Sequence, residues 1–288
     1  MHSILRPAGA LLAFVGGSPK LIVSVLLLAL LFSFGSVGSA FVDTELAQPI
    51  SVKTNQPPSM QHLLGTDSGG RDVLAVMVVG TPQTLRMGVL AGLIGVVFGV
   101  FLGLVSGFFG GPADRIISAV TDTMLTIPPL AILLVVAASV RAVSVDMMAV
   151  IIALLSWMNP ARTIRAQVLS LRELPYVQMA RVSGLSNFRI MLQELLPNVI
   201  PLAFASFVGA VSGAILSGMA LEVLGLGPQN TPTLGMTIYW ALLYAAFARG
   251  MWWWWGPPVL ILVLLFIALF LMSAALDEVA NPRLRQQS

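Results

Sequence analysis

The chain reads as an all-α polytopic membrane protein with six transmembrane helices. Three observations predict this. Of its 288 residues, 57% are hydrophobic and 9% charged, and the mean hydropathy of +0.93 lies far from that of an ordinary soluble domain. Six apolar runs approach the roughly 20 residues that a helix needs to cross about 30 Å of hydrocarbon. Basic residues collect in one short loop between two of those runs. The chain has no cysteine, which excludes a disulfide framework and a thiolate metal site. The net charge of +3 comes from loop arginines and gives a nucleic-acid partner no support. No metal ligand set is expected.

The first run, 21–40, has a competing reading as a cleavable signal peptide. Arg6 and Lys20 would be its charged region, and Gly38, Ser39 and Ala40 its small-residue cleavage site. The segment 43–81 is polar and proline-bearing, and reads with the first run as an N-terminal unit, 1–82, ahead of a five-helix core, 83–288. It contains HLLGTDSGGRDVL from His62 to Leu74. A protease reading would join Ser68 to His62 and Asp67 or Asp72, but residues so close in sequence need a supporting fold that membrane helices do not supply. The simpler expectation is a turn. Gly65, Gly69 and Gly70 would take positive φ, and Asp67 would cap a helix carrying Val73, Leu74 and Met77.

In the second run, 84–109, Gly88, Gly92, Gly95, Gly99, Gly103 and Gly107 recur every three or four residues and share one helical face. Such a face lets another helix approach to backbone contact in lipid. The third run, 116–140, carries Asp122, read as the partner of a local ion pair or hydrogen bond near Arg115. The fourth, 145–160, is short. The fifth, 195–224, carries a second small-residue stripe, Ala205, Gly209, Gly213 and Ser217, and ends near Glu222, an intramembrane carboxylate and therefore a functional candidate. The stretch 234–255 is broken by Arg249 and reads as re-entrant or interfacial. Trp252 to Trp255 then suit anchoring at the outer membrane interface, ahead of the sixth run, 257–276.

With both termini in the cytoplasm, Arg6, Lys20, Arg115, Arg162, Arg165, Arg172, Arg181, Arg189, Arg283 and Arg285 lie inside. Lys53, Arg71, Arg86, Arg141 and Arg249 lie outside. The loop 161–194 is thereby placed in the cytoplasm. Within it, Pro175 suits a first helical turn, and Tyr176, Met179, Ala180 and Ser183 fall on or near one face. Gly184 would end that helix in a left-handed conformation. Ser186 would cap a second helix carrying Phe188, Ile190 and Met191 toward the membrane, with Pro197 and Pro201 kinking its entry. These features alone also fit an ordinary amphipathic loop. The only lysines, Lys20 and Lys53, follow Pro19 and Val52, so no Gly-Lys-Ser/Thr phosphate loop exists and the chain is not expected to be an enzyme.

From about His62 to Arg285 the chain resembles the C-type permease subunit of dipeptide, oligopeptide and nickel ATP-binding-cassette (ABC) importers. The matching stretches are HLLGTD from His62 with Gly70-Arg71-Asp72-Val73, GFFGG from Gly107 with Asp114-Arg115, and Asp122 ahead of Ile127-Pro128. After these come QVLSLR from Gln167, the segment Pro175 to Pro201, LGLG from Leu224, and NPRLR from Asn281. The resemblance implies a MetI-like permease core with a cytoplasmic coupling helix. It assigns coupling to Tyr176, Val177, Gln178, Met179, Ala180, Arg181, Ser183, Gly184, Leu196 and Pro197. Gly209, Gly213, Ser217 and Glu222 become candidates for the translocation path, and Gly95, Gly99, Gly103 and Gly107 for helix packing.

It further implies a prokaryotic inner-membrane location and a retained first helix. Implied partners are a homologous B-type permease, two ABC ATPase subunits that hold ATP and Mg, and an external substrate-binding protein. The chain itself would bind no cofactor. Peptides are the expected cargo. The same architecture could carry nickel chelates, oligosaccharides or another small solute, whereas a secondary carrier or channel would need no ATPase. The chain departs from the family pattern where Gln178-Met179-Ala180 replaces Glu-Ala-Ala and at Glu194, usually apolar. It departs again at Gly218, which aligns with a family glutamate, while Glu222 stands one turn later.

Overall fold

In the computed structural model, residues 18–140 and 143–280 are described, so Arg6, Arg141, Arg283, Arg285 and the tail from Asn281 lie outside the described residues. All regular elements among the described residues are helical. They are α1 (Pro19–Ser36), α2 (Val73–Phe109), α3 (Gly111–Thr126), α4 (Pro129–Ala138), α5 (Val145–Ser156) and α6 (Met158–Leu171). After these come α7 (Pro175–Val182), α8 (Asn187–Arg189), α9 (Leu196–Val223), α10 (Leu234–Leu243) and α11 (Trp252–Ala280). Five helical stretches are long and apolar enough to cross a membrane, and a sixth crossing exists if α3 and α4 form one broken span.

The third apolar run is therefore not a straight helix. It bends by 85° between Thr126 and Pro129, because Pro128 and Pro129 both lack an N–H and Pro128 pushes Ile127 out of helical geometry, to ψ 132°. The fourth run is not short: helical structure continues from Val145 to Leu171, past the apolar window into a polar stretch. The second starts eleven residues earlier than its apolar window, at Val73, and runs without interruption past residue 82.

Helix α2 is the axis of the molecule. Its glycine face is covered by two neighbours in succession. Side chains of Ile215 and Val211 on α9 cover Gly88 and Gly92, and the backbone of α5 and α6 covers Gly95, Gly99, Gly103 and Gly107. A methyl group on Gly99 would lie 2.7 Å from the Trp157 carbonyl oxygen, and one on Gly103 would lie 2.8 Å from that of Ala161. The opposite face presents Val89, Leu93, Val97 and Phe101, all exposed, as a helix facing lipid should. Helix α1 crosses beside α11, and Lys20 meets Glu278 at 2.6 Å where the two helices share an end.

The segment 37–72 folds over the end of α2 opposite the arginine-bearing loop. Asp72, not Asp67, caps α2, its Oδ1 accepting the Ala75 N–H at 3.0 Å. Asp72 immediately precedes the helix, whereas Asp67 is spent on its own turn, accepting from the Arg71 N–H at 2.9 Å. Gly65 and Gly70 have φ of 67° and 70°, and Gly69 is not in the left-handed region. No triad forms. His62 Nδ1 lies 2.7 Å from Asp72 Oδ2, while the Ser68 hydroxyl donates to Asn55 and accepts from Arg249. Trp253 fastens this segment to α11, its Nε1–H pointing at the Thr66 carbonyl, 3.4 Å away. Trp254 is buried against Tyr244 and only Trp252 is widely exposed.

Candidate functional site

The coupling loop and a cleft between helices occupy different levels of the same bundle. The loop begins where α6 ends. Pro175 opens α7, and Gly184, at φ 79°, ends it. The Leu185 N–H reaches back to the Ala180 carbonyl at 3.2 Å, the bond expected of a left-handed cap. Ser186 then caps α8, accepting from the Arg189 N–H. The chain enters α9 through one π-helical stretch, Ile190–Leu195, with Pro197 in the first turn of α9. Helical bonding is continuous into α9, the Leu196 N–H reaching the Met191 carbonyl across the wider π turn, and Pro197, which has no N–H to place, follows directly after that widened turn.

Of the residues that the sequence groups on or near one face of α7, Tyr176, Met179 and Ser183 are exposed and only Ala180 is buried. Val177 and Ala180 are buried, whereas Met179 is 70% exposed, because one residue along a helix is a turn of about 100°. Val177 and Ala180 join Leu104 and Phe108 of α2, Ile164 and Val168 of α6, and Ile190 and Leu195 in one apolar cluster. The outward side carries Met179 and Val182, the latter 91% exposed, together with half-exposed Tyr176. Burial, with the Glu194 charge nearby, pushes the Tyr176 hydroxyl above its ordinary value. Gln178 turns back on the loop and donates to the Arg172 carbonyl at 3.1 Å.

Charges at this end are paired in a way the sequence did not disclose. Asp114 takes two hydrogen bonds from Arg165, from Nε at 2.5 Å and Nη2 at 2.8 Å, and also accepts from Ser106 and Ser118. Asp122 is exposed and makes no ion pair with Arg115 among the described contacts; it borders a small hollow with Arg162 and Arg165. Asp114 and Arg165 are 51 residues apart, so no local pattern marks them as partners.

Above the loop, a cleft of about 400 Å³ opens between α4, α5, α6 and α9. Ser156, Asn159 and Thr163 line one wall, Ser206, Gly209, Gly213 and Ser217 the other, and every lining residue is uncharged. Unlike the glycines of α2, Gly209 and Gly213 have nothing within 4 Å of where a side chain would begin. Glu222 is not with them. It is fully buried on another face of α9, against Gly227 and the first turn of α10 at Gly235. The Thr233 hydroxyl and Gly235 N–H lie nearest, but no hydrogen bond of good geometry reaches either carboxylate oxygen. Gly218, one turn earlier, meets Met87 and Ile152 instead.

Helices arranged in this way are those of a known transporter fold. The inward-facing MetNI methionine ABC transporter superimposes with a TM-score of 0.55 at 19% identity, covering 72% of this chain and 95% of its own. The chain is 32% identical to the oligopeptide transport system permease protein OppC of Lactococcus lactis subsp. cremoris, over 75% of this chain and 73% of that one. It is 31% identical to the dipeptide transport system permease protein DppC of Bacillus subtilis, over 77% and 72%. The glutathione transport system permease protein GsiD of Pectobacterium atrosepticum is 32% identical over 62% and 58%. Residues 95–286 match the family described as binding-protein-dependent transport system inner membrane component, and on this match and these identities the chain belongs to that family of multi-pass membrane permeases.

Proposed function

We propose that the chain is one permease subunit of an ATP-driven importer of di- and oligopeptides. The observation that carries this is the docked helix α7, with its inner face buried in the bundle and Met179 and Val182 bare on the outer face. A separate subunit can press on that face. One of two ABC ATPases holding ATP and Mg would dock there, the other on the partner permease. A second, B-type permease would close the cleft, and an extracytoplasmic binding protein would deliver cargo at the opposite end. The arginines around α7 support a cytoplasmic position for this end, and in the proposed topology both termini lie on that side. Alternating access then follows if ATP-driven closure of the ATPases moves α7 and opens or closes the uncharged cleft.

Peptide cargo is supported by the relatives, whose names specify oligopeptides, dipeptides and glutathione, itself a short peptide. A cleft with hydroxyl and amide groups but no fixed charge suits cargo whose side chains vary in sign. The test is uptake into proteoliposomes holding this chain with its partner permease and ATPases, supplied with the binding protein. Labelled di- and tetrapeptides should accumulate only with ATP inside the ATPase compartment. Uptake without ATP would sink the importer reading, and a binding protein that takes sugars but ignores peptides would sink the cargo.

A further inference from the structure

Three arginines around the coupling helix all end on one short piece of chain, residues 104–114, where α2 finishes and turns into α3. Arg181 lies over the Phe108 ring, its guanidinium carbon 5.1 Å from the centroid. Arg172 Nη1 donates to the Gly107 carbonyl at 2.8 Å, a group left without a helical partner at a helix end. Arg165 forms its bidentate pair with Asp114 just beyond the turn at Gly110 and Gly111. Beneath them, Val177 and Ala180 share an apolar cluster with Leu104 and Phe108. The same stretch of α2 contacts the backbone of α6 through Gly103 and Gly107. Among the described residues no arginine contact of this kind holds α4, which follows the 85° break, borders the open cleft, and packs through apolar Leu133 and Ala137 against α5 and α9.

We propose that three arginines form a clamp at the corner where α2 turns into α3: Arg181 holds α7 to α2, Arg172 holds the joint between α6 and α7 to α2, and Arg165 holds α6 to α3, so that α7, α6 and α2 move as one lever while α4 moves against it. Asp114 and Arg165 are positioning residues that hold the lever's end in register with α3. A push on the exposed face of α7 is then delivered to the full length of α2, and from there to the helices on its glycine face. Planar bidentate pairing and stacking both resist rotation better than a single contact, which explains arginine rather than lysine at these positions. This inference rests on the permease reading for its transport consequence, but the clamp itself exists without nucleotide.

The absence of cysteine from the chain makes a direct test simple. Spin labels at Val182 and Phe109, both exposed, report the clamp, and a second pair at Val182 and Val135 reports motion against α4. In the nucleotide-free complex with its partner subunits, the 182–109 distance distribution should be narrow. Arg172→Ala with Arg181→Ala should broaden it severalfold. On ATP trapping, the 182–109 distance should hold while 182–135 changes.

Peptide uptake in the Asp114→Asn complex should fall about tenfold in maximal rate with KM unchanged, and Asp114→Arg with Arg165→Asp should restore most of it. An unbroadened 182–109 distribution in the double alanine variant, or a 182–109 distance that shifts with ATP as much as 182–135, overturns the clamp. A wild-type complex that takes up no peptide while the alanine variants still broaden the distribution fails the permease reading and leaves the clamp supported. The wild-type distances need no variant to fold, and the arginine changes leave the Asp114 cluster intact.

Discussion

Ile50 stands with φ at 64° and its side chain 91% exposed, an expensive place for a β-branched residue. The left-handed conformation costs a non-glycine residue about 1–2 kcal/mol. It is held there by the Ile50 N–H on the Gly69 carbonyl and by the Ser51 and Val52 N–H groups on that of Gly70. Asparagine tolerates this conformation and loses no burial here. Ile50→Asn should therefore stabilise the outer segment by up to about 1 kcal/mol, read as slower hydrogen exchange at the Ser51 and Val52 amides. Faster exchange would show that the isoleucine side chain has a contact that outweighs the strain.

A second residue of that segment sets a pH dependence. Burial pushes the Asp67 carboxyl above its ordinary value of 3.8, although the Arg71, Gly69 and Gly70 N–H groups and the Arg71 charge pull the other way. The folded state thus binds the Asp67 proton more tightly than the unfolded state does. Stability of the segment should rise as pH falls through the raised value toward 3.8, and decline as pH rises through the same window. Trp253, which touches Gly65 and Thr66, supplies the fluorescence signal for unfolding. Asp67→Asn should flatten the curve over that window, and an unchanged slope would assign the dependence to another group.

Among the elements, α2 shows how far a membrane sequence can be read. Its glycine period announced a close-packed face, and the structure puts helix backbones within a methyl group of it. Gly103→Ala places a carbon 2.8 Å from the Ala161 carbonyl oxygen and 3.0 Å from the Arg165 nitrogen. Backbone cannot swing aside as a flexible side chain would, so α6 must shift. The expected cost is about 1–3 kcal/mol, seen as a lower melting temperature of the detergent-solubilised complex. A melting temperature equal to wild type would mean that the α2–α6 contact is looser than described.

Other elements were illegible for physical reasons. Hydropathy averages over about twenty residues, so a continuous apolar run hid the bend at Ile127–Pro129; the prolines themselves were the only signal. Helix α6 was underestimated because its polar residues, Asn159 and Thr163, face the cleft rather than lipid. The Asp114–Arg165 pair is made by tertiary approach alone. For α7, the periodicity allowed more than one face, and only the cluster around Phe108 decides that Val177 turns inward and Met179 outward.

At the scale of the whole molecule, two glycine stripes of similar appearance have opposite surroundings, and this difference predicts opposite phenotypes. The α2 stripe is filled by the chain's own helices, whereas Gly209 and Gly213 face open space across from Ser156 and Asn159. Gly213→Leu should leave the thermal stability of the chain near wild type, because nothing outside the backbone of its own helix lies within 4 Å of the new Cβ. A leucine there adds about four carbons to a cleft of about 400 Å³. If cargo passes through the cleft, large peptides should lose uptake before dipeptides do, while the complex still assembles and binds ATP. If a helix of the second permease seats on Gly213 instead, the same substitution should prevent the two permeases from co-purifying, whatever the cargo. Measuring peptide-length dependence and co-purification on one Gly213→Leu preparation separates a conduit from an interface, and a variant normal in both would remove the stripe from the transport path.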